Sequence, residues 1–164
     1  FKYSGIKYID IPDSVIHLGC EAMTGCRRLE TVNIGKGVSY IHEWAISSSS
    51  LKKINVDPLN KQFSSRDGVL YNKDKTELIK YPSDKIGDVY RIPDSVKAIK
   101  CGAITQANNL DKIYVKNSIT GENILDSHGH LIVKHDLYNH DGLTQDGIAE
   151  AFVEFAKKEK LSFF

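Results

Sequence analysis

Apolar residues recur at alternate positions in a series of short segments, Ile9-x-Ile11, Val32-x-Ile34, Ile54-x-Val56 and Ile113-x-Val115. The alternation and the β-branched side chains predict strands that bury one side and expose the other. Asn33, Asn55 and Tyr114 then point outward. After the first strand Pro12 removes a backbone donor and ends the pairing, and Val15 with Leu18 returns to the core from a second extended piece. Cys20-Glu21-Ala22-Met23 predicts a short helical turn, with alanine where an adjacent layer leaves little room. An arginine at Ala22 or Ala103 would overfill such a stack.

These segments are copies of one another. Ile9-Asp10-Ile11-Pro12-Asp13-Ser14-Val15 returns as Tyr90-Arg91-Ile92-Pro93-Asp94-Ser95-Val96, a shift of 81 residues (92 minus 11). The same shift carries Leu18 to Ile99, Cys20 to Cys101, Ala22 to Ala103, Leu29 to Leu110 and Val32 to Ile113. A degenerate copy at a period of 23 (34 minus 11) runs from Thr31 through Ile34-Gly35-Lys36-Gly37-Val38 to Leu51. Periods in the twenties mean a solenoid whose units bury their apolar faces only by stacking on neighbours, so the strands should form one parallel ladder.

Between Val56 and Ile92 the spacing is 36, one unit plus an insertion. Strands at Gly68 to Asn72 and Thr76 to Tyr81 flank Lys73-Asp74-Lys75, a hairpin loop by composition. The Asp67-Gly68 and Asp141-Gly142 pairs are turn signals. Ile124 to Val133 reads as a second hairpin with Gly129 at its turn. From Thr144 to Lys160, Ile148, Phe152, Phe155 and Ala156 fall at helical spacing. Asp146 and Glu150 lie early and Lys157, Lys158 and Lys160 late, which suits the helix dipole. This amphipathic helix is expected to seal the last coil. The division is a solenoid over 1–136, with the hairpin insertion at about 57–82, and a helical cap over 137–164.

The unit I-x-I-P-x-S-V-x-x-I-G-x-x-A-F-x-G-C-x-x-L resembles the leucine-rich repeats of the BspA-like family, found mostly in bacterial surface proteins. It is legible from Phe1 to about Tyr81 and from Val89 to Val115, roughly two thirds of the chain. Met23, Ile46 and Ile104 stand where the family has an aromatic, Gly35 replaces proline, and Ser47 to Ser50 replace the usual G-C-x-x. The resemblance implies an α/β leucine-rich-repeat solenoid of short parallel strands and short helical turns. It also implies a surface or extracellular location and a role in adhesion or recognition. Phe1 matches the aromatic position of the repeat turn, so the chain is expected to begin inside a repeat and to be a piece of a longer protein.

The balance of 22 basic and 21 acidic residues argues against an electrostatic nucleic-acid or membrane binder, and there is no apolar run near the length of a membrane span. Cys20 and Cys101 hold equivalent places at least three coils apart. At about 4.8 Å per coil that exceeds the roughly 7 Å reach of a disulfide, so both are expected to be buried thiols. Cys26 lines the stack, and a Cys20 to Cys26 bridge is the lesser reading.

No phosphate loop, H-E-x-x-H pair or G-x-S-x-G elbow occurs, and no catalytic residue or cofactor is expected. His128, His130, His135 and His140, with Asp126, Asp136 and Asp141 nearby, lack the tight cysteine-containing pairs of structural zinc sites and read as a polar hairpin and loop. His17 and His42 fall at exposed spacer positions.

What remains is surface: Tyr8, Asp10, Asn33, Lys53, Asn55, Arg91 and Tyr114 form an outward stripe of the ladder. Tyrosine and arginine give large contacts at low entropic cost, so the stripe suits a protein or glycan ligand. The alternative is an intracellular or virus-associated scaffold or inhibitor whose C-terminal helix binds a partner protein. Free cysteines and the lack of N-x-S/T sites favour that reading.

Overall fold

The structure is a computed structural model that describes residues 1–100, 102–104, 107, 109–114, 143 and 144, with 112, 114, 143 and 144 as backbone only. Its strands are β1 (Tyr8–Ile11), β2 (His17–Leu18), β3 (Thr31–Ile34), β4 (Tyr40–Ile41), β5 (Lys53–Val56), β6 (Phe63–Arg66), β7 (Val69–Asn72), β8 (Glu77–Lys80), β9 (Val89–Arg91), β10 (Ala98–Ile99), β11 (Lys112–Tyr114) and β12 (Leu143–Thr144).

The repeat does build a parallel ladder. β1, β3 and β5 stand side by side with Ile9, Val32 and Ile54 in register and Asp10, Asn33 and Asn55 in register beside them. Outward and inward positions alternate as the sequence requires: Val32, Ile34 and Ile54 are buried while Tyr8, Asp10, Lys53 and Asn55 are exposed. The second extended pieces pair as β2 and β4, with Leu18 beside Ile41. Backbone rungs join the coils at several corners, from Glu30 N to Lys7 O (2.7 Å), Gly35 N to Ile11 O (2.9 Å), Ser39 N to Ile16 O (2.8 Å) and His42 N to Leu18 O (2.9 Å). Gly35 in place of proline supplies one of those donors. Leu29, Val32, Leu51 and Ile54 are fully buried between the faces, each worth about 1.5–3 kcal/mol of apolar transfer.

The helical turn expected at residues 20 to 23 is instead a run of tight turns, and the described residues contain no α-helix. Ala22 N bonds to Gly19 O and Thr24 N to Glu21 O, both three residues back, and positive φ at Glu21 (55°) and Gly25 (74°) breaks any helical run. The same geometry corrects the expectation for Cys20. Its thiol is exposed, because the reversal at Glu21 gives the inward place to Met23. Cys26 is buried as expected, and both thiols are free, so no Cys20 to Cys26 bridge forms. Cys101 lies outside the described residues.

Cys26 also heads an interior polar column. Its Sγ donates to the carbonyl of Phe1 (2.9 Å), and Ser48 Oγ, at the same place one coil on, donates to the carbonyl of Cys26 (2.7 Å). Ser83 Oγ in turn donates to the carbonyl of Ser48. The serine run is therefore structural at Ser48. The carbonyls of Phe1 and Cys26 already accept from the amides of Ser4 and Leu29, both at 3.0 Å, so the thiol and the Ser48 hydroxyl fill a second acceptor site on each.

The insertion holds more than the expected hairpin. β7 and β8 are its antiparallel strands, and β6 adds a third, joined to β7 by the two-residue turn Asp67-Gly68 with φ of 53° and 80°. Alternation along β7 sends Leu70 into the cluster built by the first coils and Val69 with Tyr71 into the cluster built by the later ones. β7 is thus a wall shared by two cores. β8 continues into the solenoid by pairing parallel with β10, and β10 pairs antiparallel with β12. Thr144 accordingly belongs to a strand and not to the start of a helix. The rest of the expected cap and the hairpin over 124–133 lie outside the described residues. Asn60, wholly buried, locks the entry to the insertion. Its amide donates to the carbonyls of Gly35 and Val38, both at 2.9 Å, and its Oδ1 accepts from the amides of Gln62 and Phe63.

Two kinds of buried ionisable group follow from this packing. Lys80 is only 7% exposed, with Nζ donating to Gly102 O (2.8 Å), and desolvation lowers its pKa to about 8. Burial pushes the Tyr81 phenol up to about 12 and raises Tyr71 and Tyr90 as well.

The stacking distance makes Gly37 the tightest backbone approach, since a Cβ there would lie 1.8 Å from the carbonyl oxygen of Asp13. Gly37→Ala is expected to cost about 1–3 kcal/mol by overpacking. Gly19→Ala, which meets nothing within 4 Å, should cost far less; the difference in urea midpoints is the check.

Titration gives a second expectation. Above pH 8 the folded state sheds the Lys80 proton while the unfolded chain holds it to about 10.4. Stability should therefore rise with pH by up to about 1.4 kcal/mol per unit from pH 8 to 10. Above about pH 10 unfolded tyrosines ionise while Tyr81 keeps its proton to about 12, so stability should then fall. Urea unfolding across pH 7 to 11 should show the maximum, and Lys80→Met should remove the rise and leave the fall.

Candidate ligand-binding surface

The outward stripe is stiffer than a set of solvated side chains. Asn33 Nδ2 donates to Asp10 Oδ1 (2.6 Å), and Asn55 Nδ2 donates to Asn33 Oδ1 (2.7 Å). Parallel register places these three side chains one above another, so the amides chain together without bending the backbone. Tyr8 and Lys53 stand in the neighbouring exposed column.

Ion pairs flank the strands between successive coils, Lys36 to Asp13 at 2.9 Å and Lys52 to Glu30 at 3.0 Å. The hydrogen bond from Lys36 holds the Asp13 carboxyl below the usual carboxylate range, and Lys52 does the same for Glu30. Both pairs are solvent-exposed and add little stability.

Arg91 and Tyr114 do not extend this stripe. They lie in register on β9 and β11, a separate parallel pair, so the expected single ladder is two ladders. The cause is a missing rung. Successive coils are joined from Glu30 N to Lys7 O, from Lys52 N to Glu30 O and from Asp111 N to Asp88 O. At the intervening position the turn Asp67-Gly68 lies against Lys53, with Gly68 O accepting from Ile54 N (2.8 Å). Among the described residues the amides of Asp88 and Val89 have no acceptor on that side. Pro93 has no donor at the opposite corner, where Gly35 and Asp57 supply one in the second and third coils.

An open cleft of about 690 Å³ occupies the break. Tyr71 and Tyr90 line it and share a hydroxyl–hydroxyl hydrogen bond, Arg66 and Lys85 stand at its rim with Arg91, and Ile86 beside it is 85% exposed. None of Arg66, Tyr71, Lys85 or Tyr90 was legible as a site in the sequence. The one available signal was the spacing of 36 in place of 22 or 23, which marks where the ladder must break.

The other candidates resolve simply. His17 is exposed and packs edge-on to Tyr40 at 5.8 Å, and His42 Nδ1 accepts from the amide of Trp44 (3.2 Å). The group His128, His130, His135 and His140 lies outside the described residues, and no cluster able to hold a metal occurs among those described. Nor does any helix there have the length and apolarity to cross a membrane.

Residues 1–120 match the BspA type leucine rich repeat region in six copies. No curated protein matches the chain. Three solved structures are similar. A leucine-rich repeat protein from Eubacterium ventriosum shares 30% identity over 64% of this chain and 28% of its own, with a TM-score of 0.58. The pneumococcal vaccine antigen PcpA shares 27% over 69% of this chain and 34% of its own, with a TM-score of 0.57. A leucine rich cell surface protein from Faecalibacterium prausnitzii shares 21% over 66% of this chain and 35% of its own at a TM-score of 0.51, a likeness of fold alone. The chain thus spans about a third of the length of each structure it matches. With its stacked parallel strands, its register and its repeat unit all in agreement, the chain belongs to the BspA-type leucine-rich-repeat family.

Proposed function

We propose that this solenoid is a non-enzymatic recognition module that displays the outward face of its ladders to a protein or glycan ligand. The observation that carries this reading is the hydrogen-bonded column Asp10, Asn33 and Asn55, held in register by the parallel strands. Side chains fixed before binding lose little freedom on binding, so several weak contacts add to useful affinity. Tyr8 and Lys53 supply the larger contacts on this sheet, and Arg91 with Tyr114 supplies those on the second. The surface character of the family, and a similar structure described as a vaccine antigen, support an extracellular or cell-surface location and a part in adhesion. The proposal keeps the division into a solenoid over 1–136 and a cap over 137–164.

The test is binding of the immobilised chain to host-cell surface proteins and to a glycan array, against a variant carrying Tyr8→Ala and Lys53→Ala. A ligand retained by the parent chain and weakened about tenfold or more in the variant is the expected result, given the weight that central aromatic contacts carry. A ligand bound equally by both would remove the β1, β3 and β5 face from the function.

A further inference from the structure

We propose that the cleft at the broken rung receives an extended acidic segment of a partner protein, added as a strand along β9. The inference rests on the recognition reading above and names the class of ligand for one part of the surface.

Three observations support it. The first is the edge of β9. Its other edge pairs with β11, and Val89 lines the cleft; among the described residues the amides of Asp88 and Val89 have no acceptor, where the corresponding amides Glu30, Thr31, Lys52 and Lys53 each find the preceding coil's carbonyl. An extended peptide lying where the third coil's strand would continue restores those bonds, which is how strand addition gives affinity without a particular sequence. The edge lies between two paired ladders, and the cleft opens beside it.

The second is the phenol pair at the cleft. Tyr71 and Tyr90 are both buried and their hydroxyls bond to each other. Two hydroxyls carry two protons and one bond uses one of them, so one donor is left over. Burial raises both phenols, keeping them protonated at neutral pH. The acceptor that best suits a left-over, desolvated donor is a carboxylate.

Charge is the third. The lining holds Arg66, Lys85 and Arg91 against Asp67 and Asp94, and Asp67 lies 3.7 Å from Arg66 as its ion-pair partner. The lining thus carries one more positive than negative group, with Arg66 exposed and Lys85 half-buried, a balance that suits an anionic side chain. Ile86 beside it offers an apolar contact to an alternate residue of the same strand. Acidic and apolar residues in alternation are the pattern that this combination recognises.

The test uses the whole chain and an eight-residue fluorescent peptide alternating glutamate with valine, read by anisotropy. The parent should bind it. Replacing the glutamates by lysine, or methylating alternate peptide amides so that strand pairing fails, should each abolish the signal. Arg66→Glu should weaken binding at least tenfold, as should Tyr71→Phe with Tyr90→Phe. Should the double phenylalanine variant fail to fold, Arg66→Glu, on an exposed side chain, decides the matter alone. Equal binding of the lysine or the methylated peptide, or no binding of the parent peptide, overturns the proposal. Binding of an acidic oligosaccharide that Arg66→Glu abolishes also overturns it in favour of a glycan. If the peptide fails while a ligand sensitive to Tyr8→Ala and Lys53→Ala is retained, only this inference falls; loss of both removes the recognition reading as well.

Discussion

Everything in this chain answers to one constraint, the short and fixed distance between stacked coils. A backbone amide in one coil must reach a carbonyl in the coil before it, as Glu30 N reaches Lys7 O and Lys52 N reaches Glu30 O. Strand spacing of about 4.8 Å then dictates what each column of side chains can hold. Alanine fills the closest column, with Ala45 and Ala103 fully buried, and glycine sits where Asp13 O would strike a Cβ. Asparagines placed in one column hydrogen-bond to each other because no other partner is nearer. The same distance that forces small residues inside makes a rigid column of polar ones outside.

The constraint also explains why the solenoid interior is not wholly apolar. A coil that changes direction leaves carbonyls pointing inward, and even where a backbone amide uses one acceptor site, as Leu29 N does at Cys26 O, a second site stays open to a side-chain donor. Cys26, Ser48 and Ser83 each donate to a carbonyl of the preceding coil, and Asn60 uses both amide protons and both acceptor sites of its side chain. A thiol and a hydroxyl serve alike because the position asks for a small group with one donor. Substitution of G-C-x-x by Ser47 to Ser50 therefore preserves the column's chemistry while altering its letters.

Periodicity made much of this visible before any coordinates. The strands β1, β3 and β5, their register, the burial of Ile9, Val32 and Ile54 and the position of the insertion all follow from the repeat and from alternation. What stayed hidden has physical reasons. β6 was missed because Phe63-Ser64-Ser65-Arg66 is mostly polar, and its pairing with β7 depends on a turn two residues long. Cys20 looked buried by analogy with small core residues, but a positive φ at the next residue turned it outward. The phenol pair joins residues 19 apart on different elements, a contact that no local pattern records. The stripe was legible as a face; its division into two was not, because the break depends on where the insertion's turn lies in space.

A repeat fold bound by such a constraint has little freedom within its columns. Changing an inward residue disturbs two neighbouring coils at once, and changing a rung donor unzips a corner. An insertion escapes this, since it adds residues between coils and leaves the columns before and after it intact. In this chain the insertion does more than add surface. β7 turns Leu70 toward one core and Val69 with Tyr71 toward the other, so the two ladders stay attached while the rung between them is lost. The shared wall makes the open edge tolerable, because the apolar clusters on its two sides supply the cohesion that the missing hydrogen bonds would have given. Cohesion and edge are thereby separated. The interior holds the ladders together, and at the broken rung the amides of Asp88 and Val89 have no acceptor among the described residues.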